Sequence, residues 1–189
     1  MRSTNNETLV ERNRSTSPPV IIYEKPTIIP HYNWGLIPAW AKDEEIQKYT
    51  LNAKIETVNE KQSFKNSVNK RCLVIANGYF ECQWLDPKGK NKQKYVFCLP
   101  NQELFAFAGL YSHWVNKNTG EIKNTYTILT TEANILLAEI HNHKKRMPVV
   151  LKREDETKWL EHQPIQDFAF PYQVNLVAKQ IHPDKATLW

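Results

Sequence analysis

Glu81 lies in the segment Gly78-Tyr79-Phe80-Glu81-Cys82-Gln83-Trp84. With the two-residue period of a strand, Phe80, Cys82 and Trp84 share one face, and Tyr79, Glu81 and Gln83 the other. A carboxylate set among aromatic rings is open to desolvation, which suits it to carry protons; the plainer reading is an exposed strand glutamate. His141 opens the run His141-Asn142-His143-Lys144-Lys145-Arg146-Met147-Pro148, behind a stretch with helical spacing. At a helix C-terminus the dipole favours the imidazolium, the proton-donating form, although a histidine there also serves as a simple cap. Asn52 and Lys54 alternate with Leu51, Ala53 and Ile55. With Glu56 they form the polar face of a strand, which either orients an anionic ligand or faces solvent. Trp34 and Trp40 flank a proline-containing bend, placed either to stack on bases or to pack in a core.

Other chemistries find little support. His141-x-His143 is the pair that would suggest a metal, but there is no CxxC, no HExxH and no acidic partner at ligand spacing, so no metal and no cofactor is expected. Cys72, Cys82 and Cys98 each fall in an apolar strand without a histidine nearby, which reads as structural thiols. No G-x-S-x-G appears, and five glycines leave no room for a glycine-rich phosphate loop. Three cysteines fit a reduced cytoplasm better than a disulfide scaffold. The chain has no apolar run of membrane-spanning length, and its first residues lack the apolar core of a secretory signal. The expectation is a soluble cytoplasmic protein with no membrane partner.

Charge adds a hint about partners. The chain carries 25 Lys and Arg against 20 Asp and Glu, a net +5. Between Lys61 and Lys94 stand Lys61, Lys65, Lys70, Arg71, Lys88, Lys90, Lys92 and Lys94 against Glu81 and Asp86 alone. A localised basic stripe is the footprint of a phosphate-backbone binder, or else a solvated lysine-rich face.

The elements that must position these residues follow from period and punctuation. Residues 1–19 are polar and proline-containing and read as a loose arm; residues 20–189, with 41% apolar residues in the chain, read as one domain. Strands are predicted at Val20–Tyr23, Leu51–Glu56, Cys72–Ala76, Tyr79–Trp84, Lys94–Leu99, Leu104–Tyr111, Tyr126–Leu129, Pro148–Leu151 and Val174–Val177. Helices are predicted at Ala41–Lys48, Asn59–Asn69, a segment capped by Thr130-Thr131-Glu132 that runs to His141, and Arg153–His162. The fold class is α+β, a curled and mostly antiparallel, barrel-like sheet with peripheral helices.

In sequence order, Trp34-Gly35-Leu36-Ile37-Pro38-Ala39-Trp40, Asn52-Ala53-Lys54-Ile55-Glu56-Thr57, Ser63-Phe64-Lys65 and Arg71 through Glu81 resemble the SOS response-associated peptidase (SRAP) family. So do Phe105 through Tyr111, Thr127 through Asn134, and Ile140-His141 followed by Arg146 through Leu151. The resemblance covers about residues 31–160. It implies covalent capture of abasic sites in single-stranded DNA by a cysteine exposed when the initiator Met is removed autocatalytically. The N-terminal amine condenses with the sugar aldehyde to an imine, and the thiol of the same residue closes a thiazolidine. By the same resemblance Asn52 positions that residue, Glu81 shuttles protons, and His141 assists ring opening and cross-link reversal. Lys54 stands where the family commonly has Arg and would contact DNA phosphate as a point charge. Thr130 and Arg146 would line the cleft, with Trp40 beside the base next to the lesion.

Position 2 departs from the family pattern, being Arg2 and not Cys. The segment before Trp34 is also shorter than the family's, as if a first strand and helix were missing. The expectation is a chain shortened at its N-terminus or a natural variant without cross-linking, which forms no stable thiazolidine. Two alternatives stay open: a non-catalytic nucleic-acid-binding module of the same fold, and a protein-interaction domain whose lysine-rich face meets an acidic partner. The expected partner is single-stranded DNA with abasic sites, met in the cytoplasm at the nucleoid.

Overall fold

The computed structural model describes residues 18–24 and 31–182. The expected arm therefore lies outside the described residues except for Pro18 and Pro19, as does the apolar pair Ile28-Ile29. In chain order the strands and helices are β1 (Val20–Ile22), β2 (Asn33–Trp34), β3 (Asn52–Lys54), β4 (Arg71–Ala76), β5 (Tyr79–Trp84), β6 (Lys92–Cys98) and β7 (Phe105–Val115). They continue with β8 (Ile122–Glu132), α1 (Ile135–Ile140), β9 (Arg146–Pro148), β10 (Val150–Leu151), α2 (Glu156–Leu160) and β11 (Val177–Gln180). The chain is mostly β with a few short helices, the curled and largely antiparallel architecture the sequence predicts.

Two sheets face each other. The larger runs β1-β4-β7-β8, with β2 and β3 added parallel to β8; the smaller runs β11-β6-β5. Strands β4 and β7 are apolar on both faces because both faces are covered. Cys72, Val74, Phe105, Phe107, Tyr126 and Ile128 point toward the smaller sheet and meet Tyr79 and Phe97. Their neighbours Leu73, Ala106, Ala108, Leu110 and Leu129 point the other way, onto Ile55, Phe64, Trp159 and Phe168.

One departure from regular pairing sets the site. Strands β7 and β8 pair from Val115–Ile122 to Gly109–Ile128 and then part. Residues 146–151 enter the gap: β9 pairs with β8 at Thr130–Glu132 and β10 pairs with β7 at Ala106–Phe107. Between them the Val149 N–H donates to the Leu129 carbonyl, and its own carbonyl accepts from Ala108, both at 2.9 Å. The segment after His141 is thus wedged into the sheet that carries Asn52 and Lys54.

Several predicted elements take other forms. Thr130-Thr131-Glu132 ends β8 and caps no helix; its β-branched residues gain ladder bonds with β3 and β9, and Asn134 caps α1 instead, accepting from the Leu137 N–H at 2.9 Å. Asn59–Asn69 forms turns and one 3₁₀ stretch at Lys65–Ser67, in keeping with the low helix propensity of its Asn and Ser residues. Ala41–Lys48 likewise yields only a 3₁₀ turn at Glu45–Tyr49. The helix at Arg153–His162 is a 3₁₀ turn followed by α2. The last strand is displaced to Val177–Gln180, where Tyr95–Cys98 of β6 offers its free edge, and Leu176 is a packing residue.

Candidate active site

Glu81 comes from a strand of the smaller sheet and His141 from the end of a helix, and the two side chains meet. Glu81 is the third residue of β5, and His141 is the C-cap of α1, with its N–H bonded to the Leu137 carbonyl at 2.7 Å. The Glu81 Oε2 lies 3.6 Å from the His141 Nδ1, and the two side chains are 25% and 20% exposed. The same Nδ1 is 2.7 Å from the Arg146 carbonyl oxygen. A carbonyl only accepts, so Nδ1 carries a proton and, in the neutral ring, Nε2 is left as the base. Glu81 stands on the protonated side of the ring. Its other oxygen accepts from the Cys82 N–H at 3.2 Å.

Edge contacts hold the pair in register. Gln83 donates to the Glu139 carbonyl at 3.2 Å. Asn142 binds Trp84 on both sides, accepting from its N–H at 3.1 Å and donating to its carbonyl at 2.9 Å. In this way an amide side chain completes the outer edge of β5 as another strand would.

A second polar group adjoins the first through Arg146. Its guanidinium makes a bidentate pair with Glu56, at 3.1 and 2.7 Å, and donates to the Thr130 carbonyl at 2.6 Å. The Glu56 carboxylate also accepts from the Thr131 hydroxyl at 3.0 Å and the Glu132 N–H at 3.2 Å. Partial burial pushes the Glu56 carboxyl up, but the hydrogen bonds from Arg146, its own backbone and Thr131 together hold it below its ordinary value. Lys54 pairs in register with Thr130 and Asn52 with Ile128, and both side chains are exposed. A continuous line therefore runs from Glu81 through His141, Arg146 and Thr130 to the polar face of β3.

Trp40 lies apart from this line. It is 45% exposed, and its indole N–H donates to the Gln62 carbonyl at 3.3 Å. Trp34 packs against the core with its indole N–H on the Leu51 carbonyl at 2.7 Å. The bend between them needs Gly35, whose φ is +106° and whose missing side chain would meet the Gln47 carbonyl oxygen at 2.6 Å. Cys72 and Cys98 are buried and Cys82 is half-buried; burial pushes the Cys72 thiol far up. His141 and His143 point to different partners, and no group of three metal-ligating side chains occurs among the described residues. No helix among them is long and apolar enough to cross a membrane.

One member of the basic stripe is not at the surface. Arg71 is buried, 4.4 Å from the Trp159 ring, and donates to the Trp159 and Gln163 carbonyls at 3.1 and 2.7 Å. It is a structural cation and adds nothing to an exposed basic surface. Sequence reasoning missed Glu56 as the partner of Arg146 and Asn142 as the clamp on Trp84. The alternation of residues 51–56 put Glu56 on the right face, but nothing in the sequence links it to a residue 90 positions away.

Comparison with known proteins agrees with this architecture. The family model described as SOS response associated peptidase (SRAP) matches residues 4–184. The "Abasic site processing protein YoqW" of Bacillus subtilis (strain 168) is 47% identical over 128 residues, which is 67% of this chain and 54% of that protein. The "Abasic site processing protein YoaM" of the same organism is 40% identical over 148 residues, 75% of this chain and 63% of that protein. The chain thus spans little more than half the length of these relatives. A crystal structure of a Bacteroides thetaiotaomicron protein superposes with a TM-score of 0.76 at 36% identity, covering 88% of this chain and 74% of that one. With its family model matched over residues 4–184 and its fold shared with that structure, the protein belongs to the SRAP family.

Proposed function

We propose that this chain recognises and processes abasic sites in single-stranded DNA, with Glu81 and His141 moving the protons. The observation that carries this reading is the carboxylate–imidazole pair, held 3.6 Å apart beside the polar face of β3. An abasic sugar is a cyclic hemiacetal. Opening it removes the proton from the C1′ hydroxyl and delivers one to the ring oxygen, so an aldehyde and a 4′-hydroxyl form with no net change in atoms. The free Nε2 of His141 takes the proton from the C1′ hydroxyl and, as an imidazolium stabilised by Glu81, returns one to the ring oxygen. The aldehyde then condenses with an amine of the chain, by resemblance the N-terminal one, and loses water to give an imine. Asn52 orients the reacting residue, while Lys54, Thr130, Arg146 and Trp40 hold the strand on either side. None of the three internal cysteines carries a free amine, so none of them converts the imine to a thiazolidine.

Relatives named for abasic-site processing support this reading over a protein-interaction domain. The test is fluorescence anisotropy with a single strand bearing one abasic site beside an undamaged strand of the same sequence. The expected result is at least tenfold tighter binding of the abasic strand, retained within about threefold by Glu81→Gln. Equal binding of the two strands would remove the lesion from the function.

A further inference from the structure

The β5–β6 hairpin and the turn after His141 build a second feature that the reaction above does not use. The hairpin loop is organised by Asp86, whose carboxylate accepts from the backbone N–H groups of Lys88, Lys90 and Asn91 at 2.9, 3.3 and 2.6 Å. Gly89, at φ +61°, lies so close to the Trp84 indole that a side-chain carbon there would stand 2.5 Å from the ring. The imidazole of His143 stacks on the same indole, with centroids 3.8 Å apart and planes 10° from parallel. Between hairpin and turn lies an open groove of about 430 Å³, lined by Trp84, Leu85, Asp86, Pro87, Asn142 and His143. Leu85 is 61% exposed in it.

The charge around this groove is one-sided. Lys88, Lys90 and Lys92 on the hairpin and Lys144 and Lys145 on the facing turn are all exposed. Of the nearby acids, Asp86 is turned onto its own loop, and Glu139 lies on α1. With the Trp84 indole already packed against His143 and Gly89, the exposed His143 imidazole and Leu85 are the surface left for a base, and the lysines around them fit its phosphate. An acidic peptide would use the cations and leave the ring wall idle.

Position ties the groove to the strand at the site. Trp84 is three residues along β5 from Glu81, about 10 Å at the rise of a β-strand, and on the other face of β5, so a strand that reaches both must pass over the outer edge of β5. That distance equals about three stacked nucleotides. We propose that this groove is a second nucleotide-binding subsite, which takes a base and its phosphates from the single strand flanking the lesion. The proposal rests on the single-stranded DNA reading above and extends it to undamaged nucleotides.

The test uses anisotropy at fixed salt with two abasic strands, one with a single nucleotide on each side of the lesion and one with eight. The charge-reversal pair Lys88→Glu and Lys144→Glu changes only exposed side chains. It is expected to weaken the long strand at least tenfold and to reduce the log–log salt slope by about 1.4, at about 0.7 per phosphate lost. The short strand and its processing should be unchanged. Long-strand affinity within twofold of the unmodified chain would overturn the subsite, as would an equal loss on the short strand. A long flank made of baseless sugars must bind the unmodified chain several-fold more weakly than a normal flank; equal binding would overturn the base contact. If the long undamaged strand loses affinity in the variant while the unmodified chain shows no preference for the lesion, the groove stands and the abasic reading falls.

Discussion

At the scale of single residues, the chemistry depends on which charges are already spent. Arg146 has both Nη2 hydrogens engaged, on Glu56 and the Thr130 carbonyl, and one Nη1 hydrogen on Glu56. In the proposed function it would offer DNA a directed N–H more than a free positive charge, with the phosphate charge left to Lys54. Glu56 is a positioning residue: it fixes Arg146, whose carbonyl in turn fixes the proton on His141 Nδ1. Because the folded-state Glu56 carboxyl lies below its ordinary value of 4.5, its contribution to stability is present above that pH. It fades as the pH falls through the folded-state value. The midpoint difference between the unmodified chain and Glu56→Gln in thermal melts should therefore be constant from pH 7 to about pH 5 and shrink below it. A gap that persists unchanged to pH 3 would show that the ion pair adds nothing.

At the scale of elements, α1 is the weak link. A six-residue helix has no stability of its own and survives through its cap and the burial of Leu137 and Ile140. Asn134 supplies that cap, and its amide also donates to Gln173 at 2.8 Å. Asn134→Ala should cost about 1 kcal/mol in denaturant unfolding. It should also lower the rate of lesion processing, since His141 is the next residue after the helix; a stability loss with an unchanged rate would uncouple the helix from the site. This helix also shows where local sequence logic stops. Thr-Thr-Glu is a good capping string in isolation, but the same residues sit opposite Lys54 and Arg146, and the ladder bonds outweigh one cap. By contrast β5 is legible to the residue, and within Leu51–Glu56 Ala53 and Ile55 are buried and Asn52, Lys54 and Glu56 exposed. The strand there is only Asn52–Lys54, however, and Ile55–Thr57 turns into 3₁₀. Period two survives wherever one face is buried.

At the scale of the whole molecule, the Glu81–His141 pair forms where α1 and the wedge that follows it meet the three-stranded sheet. Glu81 belongs to the three-stranded sheet, and the wedge after His141 belongs to the larger one. Fold class and family order were legible from motifs spaced along the chain, since each motif is a strand or a turn with its own local pattern. The cross-sheet partners were not, because Glu56–Arg146 and Trp84–Asn142 join residues 90 and 58 positions apart. The most direct test of the proton-transfer role is denaturing electrophoresis of the 189-residue chain incubated with a labelled single strand bearing one abasic site. An undamaged strand and the Glu81→Gln variant run beside it, each with and without borohydride. The predicted result is a covalent species on the abasic strand alone, seen only when borohydride reduces the imine, and lost in Glu81→Gln although that variant still binds. A species that forms equally with Glu81→Gln, or no lesion-dependent product at all from a chain that binds both strands alike, would contradict it.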